Sequence, residues 1–150
     1  MDGVLNTRYT KDRVYGTTKL IGIEDRYVAN LKKIIDVTDA KIVLTSSWKR
    51  WIKIDDQQGQ YLKDKLAVFG LEVYDVTEDR GDNRGYGILQ YVGHNNVTRW
   101  VVLDDEEFDD YRAFGIMRHL VKTTWYMEDG GLGESDAEEA IKILKGENNG

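Results

Sequence analysis

The sequence predicts an α/β fold in which a mainly parallel, doubly wound sheet carries helices on both faces. Three observations support that prediction. Short uninterrupted apolar runs, Ile42-Val43-Leu44 and Trp100-Val101-Val102-Leu103, suit strands buried on both faces, which need no polar alternation. Segments with apolar residues at helical spacing alternate with those runs, the order that builds parallel strands through helical crossovers. Each run also stops on a polar cluster, Thr45-Ser46-Ser47 after the first and Asp104-Asp105-Glu106-Glu107 after the second. The carboxyl ends of strands are where open α/β sheets bind ligands.

In chain order, the first six residues carry no strand of their own. Residues 7–22 are polar, with glycine, Tyr9 and Tyr15 among them, and read as a loop or small flap. Tyr27, Val28, Leu31, Ile34 and Ile35 fall on one helical face, predicting a helix over residues 24–36. The strand at 41–44 leads into a mixed stretch, 48–60, and then a helix over 60–69 that stops at Gly70. Residues 71–76 alternate as a strand, 78–85 form a glycine- and charge-rich loop, and Ile88, Leu89, Tyr91 and Val92 mark a short helix. A strand over 97–103, a helix over 108–114 and a strand over 116–121 follow. Ser135 with Glu138 reads as a capping box opening a last helix with Ala137, Ala140, Ile141 and Leu144 on its apolar face.

Composition narrows the functional classes. A chain of 150 residues, 41% hydrophobic and 32% charged, has the size and balance of one globular domain, and no internal repeat or linker divides it. No apolar run is long enough for a membrane span, and there is no signal-like start, so no membrane partner is expected. Absence of cysteine removes disulfides and thiolate metal sites and makes the cytoplasm the expected compartment. With His94 and His119 as the only histidines, a hard, oxygen-ligated metal is favoured over zinc. The net charge of −6 argues against a general nucleic-acid coat, yet Arg8, Lys11, Arg13 and Lys19 make residues 7–20 locally basic.

Three polar groups lie at strand-to-loop junctions: Asp2 with Asn6, Thr45 with Ser46 and Ser47, and Asp104 with Asp105. In a doubly wound sheet such junctions converge on one crevice. Neighbouring carboxylates repel unless a cation sits among them, so Asp104 and Asp105 suggest a divalent metal, the alternative being a strand that runs into a solvated acidic turn. Carboxylates for Mg²⁺, a hydroxyl for a phosphoryl oxygen and a nearby cation are the parts of a phosphoryl-transfer site. Other residues have plainer readings. Trp48 and Trp51 at helical spacing fit a core better than a base-stacking pair, and Lys49, Arg50 and Lys53 fit a solvated face better than a nucleic-acid patch. Tyr9, Arg13 and Tyr15 read as surface loop before substrate flap, His94 as a turn residue and His119 as part of a strand.

Asp2-Gly3-Val4-Leu5-Asn6 resembles the second half of the Asp-x-Asp-Gly-Val-Leu-Asn signature of haloacid dehalogenase-like (HAD) phosphatases. Ile42 to Lys49 resembles their second motif, and Val101 to Glu106 their fourth. Thr-Ser-Ser-Trp-Lys, Leu-Asp-Asp-Glu and the later Leu120 to Thr123, Gly131 and Leu132 are most similar to the small capless branch found in Swiss Army Knife RNA repair proteins and phages. The resemblance implies a Rossmann-like fold and a Mg²⁺-dependent phosphatase acting on a phosphorylated small molecule or nucleic-acid end. It implies that Asp2 is the general acid and base whose carbonyl also meets Mg²⁺, that Thr45 bonds the transferring phosphoryl group, and that Asp104 and Asp105 hold the metal. Arg84 best meets the third motif, a cation at a helix start, with Lys49 second. Asn6, Ser46, Ser47, Trp48 and Lys49 would surround the substrate.

The chain departs from this pattern at one point. The family's nucleophilic aspartate lies two positions before the residue matched by Asp2, and Met1 fills the position between. Without that carboxylate no aspartyl-phosphate forms and one metal ligand is lost. We therefore expect residues 1–150 to be a single HAD-like domain without a large cap, truncated at the amino terminus and lacking its first central strand. The alternative is a non-catalytic HAD-fold binding or regulatory module. A receiver domain, which also opens on paired acids, is a poor fit, because it would need about another hundred residues after its first strand and 46 follow Asp104.

Overall fold

A computed structural model describes residues 1–15, 20–54, 56–79 and 83–147. Of the basic residues between 7 and 20, Lys19 lies outside that set, as does part of the glycine- and charge-rich loop. The described strands are β1 (Arg13–Val14), β2 (Leu20–Ile21), β3 (Ile42–Leu44), β4 (Val73–Val76), β5 (Val102–Asp104) and β6 (Leu120–Lys122). The helices are α1 (Asp25–Thr38), α2 (Lys49–Ile54), α3 (Gln57–Ala67), α4 (Arg84–His94), α5 (Asp109–Ala113) and α6 (Glu134–Leu144). The class is α/β with parallel pairing, as the sequence predicts.

The parallel strands form two pairs, β3 with β4 and β5 with β6, while β1 and β2 make a small antiparallel hairpin. The sequence predicts a mainly parallel sheet lacking its first central strand. In a doubly wound sheet the first strand lies centrally, flanked by the second and the fourth. Among the described residues none is paired between β3 and β5, so the halves stay separate.

The period of two along β5 and β6 explains the layers. Val102 and its partner Leu120 pack with Ile88, Tyr111 and Ile116 from the α4 and α5 side. Leu103 and its partner Val121 join the larger core of Val28, Leu31, Ile34, Ala137, Ala140 and Leu144 from α1 and α6. Asp104, two residues beyond Val102, inherits the α4 and α5 face. That alternation places the chemistry.

Element ends differ from the sequence reading where a cap was not recognised. Asp56 accepts hydrogen bonds from Gln58 N–H at 3.0 Å and Gly59 N–H at 2.9 Å, so α3 begins at Gln57 and not at residue 60. Gly133 N–H donates to Asp136 at 2.9 Å, so α6 begins at Glu134, and Ser135 with Glu138 lie inside it. α2 was read as mixed chain because six residues give too short a period to recognise. His119 closes a 3₁₀ turn, Met117–His119, and stacks on Trp100 at 3.6 Å between ring centres, so the strand starts only at Leu120. His94 is the last residue of α4. No helix among the described residues is long and apolar enough to cross a membrane.

α2 and α3 pack through Gly59, where a Cβ would lie 2.2 Å from the Trp51 carbonyl oxygen. Backbone cannot yield as a side-chain tip can. Gly59→Ala is expected to lower stability by about 1–2 kcal/mol in a urea melt, overpacking exceeding the helix-propensity gain.

Candidate phosphoryl-transfer site

Asp104 is 4% exposed and enters the face where α4 begins and α5 passes. Its Oδ2 accepts from the Tyr111 hydroxyl at 2.6 Å and from Arg84 Nη1 at 2.9 Å. Arg84 is the first residue of α4, and its guanidinium also lies 4.3 Å from the centre of the Phe108 ring. Burial works against its charge, but Asp104 outweighs that and holds the guanidinium above its usual range. Burial, and then Asp104, push the Tyr111 hydroxyl up, keeping it a donor.

Asp105 meets the first turn of the chain. In that turn Val4 and Leu5 N–H both donate to the Met1 carbonyl at 3.0 Å. Gly3 takes φ +80°, and a Cβ there would lie 2.4 Å from the Asp105 carboxyl carbon. Glycine is what lets the Asp2 turn sit against the acidic strand end. Asn6 is fully buried and locks the turn: its Oδ1 accepts from Gly3 N–H at 2.9 Å, and its amide donates to the Gly22 carbonyl at 2.9 Å and to Asp2 Oδ1 at 3.1 Å. The indole of Trp48 donates to the same Asp2 oxygen at 3.2 Å. At 1% exposure Trp48 is a core residue that orients Asp2, in keeping with the plainer reading of its spacing.

These groups open on one cavity of about 320 Å³. Asp2, Asp105 and Glu106 bring acidic groups to its lining, which also includes Arg84, Ser46, Ser47 and Trp48. Thr45 and Lys49 are not among its lining residues. The Thr45 hydroxyl lies 3.2 Å from that of Thr77, which donates to Asp79 at 2.6 Å. Lys49 Nζ donates to Thr77 at 3.0 Å and to Asp79 at 2.8 Å, a buried ion pair that ties the start of α2 to the chain leaving β4. The structure thus gathers Asp2, Ser46, Ser47, Trp48, Arg84 and Asp105 at one opening, with Asp104 bonded behind Arg84. Asn6 is a buried strut, and Thr45 and Lys49 belong to an adjoining polar cluster.

Sequence reasoning overlooked Thr77, Asp79 and Tyr111. Thr77-Glu78-Asp79 follows the carboxyl end of β4 and carries the same signal as the other three junctions. Tyr111 had none, because only the fold sets α5 against Asp104.

Among the described residues no group of three acidic or histidine side chains is placed to hold a metal. Two carboxylates are in place, and Mg²⁺ commonly takes only one or two, with water and substrate phosphate completing its shell. Burial, and then the Asp104 carboxylate, push Asp105 up from 3.8 to about 6. The Asp104 share of that shift is charge repulsion, which a divalent cation beside Asp105 would relieve.

Between about pH 4 and about pH 6 the folded chain keeps a proton on Asp105 that the unfolded chain has released. This carboxyl therefore costs stability as pH rises through that window. Asp105→Asn is expected to stabilise the metal-free chain at pH 7 by about 1 kcal/mol, a figure discounted for the half-buried carboxyl, and to flatten that part of the pH profile. Urea melts at pH 4.5 and pH 7 check it, and parallel pH profiles for the two proteins would contradict it.

No curated protein and no solved structure matches the chain. Residues 1–137 match the family described as the HAD domain in Swiss Army Knife RNA repair proteins. The Asp2 turn and both acidic and hydroxyl strand ends fall within that span, and the chain belongs to this family of haloacid dehalogenase-like domains.

Proposed function

We propose that the domain is a Mg²⁺-dependent phosphohydrolase of the HAD type, cytoplasmic, acting on a phosphate monoester at a nucleotide or nucleic-acid end. The observation that carries this reading is the single cavity bounded by Asp2, Asp105 and Arg84. When bound, Mg²⁺ neutralises charge on the phosphoryl oxygens and aligns them for displacement. Asp104 and Asp105 would hold it, with the Asp2 carbonyl. Asp2, oriented by Asn6 and Trp48, gives a proton to the leaving oxygen and then takes one from water. Arg84 and the Ser46 and Ser47 hydroxyls would meet the phosphate, and Thr45 would reach it only by a shift out of its cluster with Thr77. The nucleophile this chemistry needs is a carboxylate two positions before that of Asp2, and a strand ending on it would fit the place between β3 and β5. Without a large cap the site stays open to a bulky substrate.

One observation favours a second reading, a non-catalytic module. Asp104 Oδ2 accepts from both Arg84 and Tyr111, an arrangement in which the carboxylate serves the fold. The test is phosphate release, with Mg²⁺, from nucleotides and from oligonucleotides phosphorylated at either end. It uses a chain extended upstream by an apolar strand ending in the required aspartate. Release from one of these substrates supports the hydrolase, and no release from any, with the fold intact, leaves the binding module.

A further inference from the structure

The lining of the cavity includes aromatic residues. Trp125 and Tyr126 line it together with Asp2 and Asp105, and Tyr126 is 69% exposed. The Arg8 guanidinium lies 5.9 Å from the centre of the Tyr126 ring and 5.5 Å from that of Tyr9, itself 52% exposed. The guanidinium thus lies within cation–π reach of both rings.

The segment carrying the rings is held in place. Arg8 N–H donates to the Trp125 carbonyl at 2.9 Å, and Thr124 N–H to the Gly130 carbonyl at 2.8 Å. Arg26 Nη2 and the Tyr27 hydroxyl donate to the Glu128 carbonyl at 2.7 Å and 3.1 Å. A Cβ at Gly130 would lie 2.4 Å from the Thr124 carbonyl oxygen, so glycine closes the turn. The rings are presented to solvent on a tethered loop and do not cover core. Such preorganisation lowers the cost of binding a flat ligand.

We propose that Tyr126, Arg8 and Tyr9 form a stacking platform for the bases of a single-stranded oligonucleotide whose terminal phosphate enters the Asp2 and Asp105 cavity. The placing of that phosphate rests on the phosphohydrolase reading. Every base offers a π face to a tyrosine ring, and a guanidinium both stacks and bonds phosphodiester oxygens. Sugar phosphates have no such face. Two rings separated by a cation suit more than one nucleotide; Tyr9 also lines a second cavity of about 350 Å³, whose walls carry Lys11, Arg26 and Lys65 together with Asp12, Glu24, Asp25 and Glu128.

Fluorescence anisotropy of the 150-residue chain tests this in Mg²⁺ at low salt. The probe is a single-stranded tetranucleotide with a 5′-phosphate and a 3′-fluorescein, and the control is the abasic phosphodiester of equal charge. Binding is expected to be about 10-fold weaker for the abasic probe. Tyr126→Ala should weaken the base-bearing probe about 10-fold, Tyr126→Phe less than about 2-fold, and neither should alter the abasic probe. Equal binding of the two probes, no binding of the base-bearing one, or indifference to Tyr126→Ala overturns the platform. Phosphate release that persists unchanged in Tyr126→Ala of the extended chain would leave the hydrolase standing without it. Base-dependent binding with no phosphate release from any substrate would leave the platform and remove the hydrolase.

Discussion

In the chain extended upstream, Asp2→Asn is expected to lower phosphate release by about 10²- to 10⁴-fold, the usual worth of a positioned general acid and base. The substitution isolates chemistry from structure. Asp2 contributes one oxygen to the fold, accepting from the Asn6 amide and the Trp48 indole. An asparagine carbonyl oxygen can accept both bonds, so stability should hold within about 0.5 kcal/mol. Phosphate release in stopped assays, paired with a urea melt, reads both quantities. A variant as active as the parent would show that Asp2 moves no proton, and would favour the binding-module reading.

The second large effect is on stability. Asp104→Ala removes the carboxylate that neutralises Arg84, whose side chain is 15% exposed and whose Nε is buried without a hydrogen-bond partner. It also strands the Tyr111 hydroxyl, which is fully buried. Deleting one member of a buried pair leaves an unpaired charge in a poor solvent, and about 3 kcal/mol of destabilisation is expected. Asp104→Asn, which keeps an acceptor, should cost less, and Tyr111→Phe about 1 kcal/mol. Adding Arg84→Met to Asp104→Ala should recover part of the loss, because the orphaned charge is then gone. A double variant no more stable than Asp104→Ala would show that the pair is not coupled.

The central elements were legible because their residues state their environment. Ile42 to Leu44 and Val101 to Leu103 are continuous apolar runs that only doubly buried strands tolerate, and each ends on polar residues that the fold brings to one region. The period along α1 likewise announced its buried face. Features set by tertiary approach were not legible. Nothing local distinguishes Tyr111 from other helical tyrosines, yet the alternation of β5 aims Asp104 at it. Lys49 reads as surface charge until Asp79, which packs where Gly87 carries no side chain, supplies a buried partner. Tyr126 and Arg8 are far apart in sequence and meet because the Trp125 carbonyl bonds the Arg8 amide. The resemblance named the Asp2 turn, whereas Gly3 gives the physical reason that turn can lie against Asp105.

Under the proposed function the Asp104 and Asp105 strand end holds a divalent cation within a phosphoryl-transfer site. Electron paramagnetic resonance of Mn²⁺ with the extended chain measures this directly, since bound and free ion give different signals. The account predicts one Mn²⁺ site, displaced by Mg²⁺ and lost in Asp105→Asn. A chain that binds no Mn²⁺, or binds it equally well after Asp105→Asn, would contradict it.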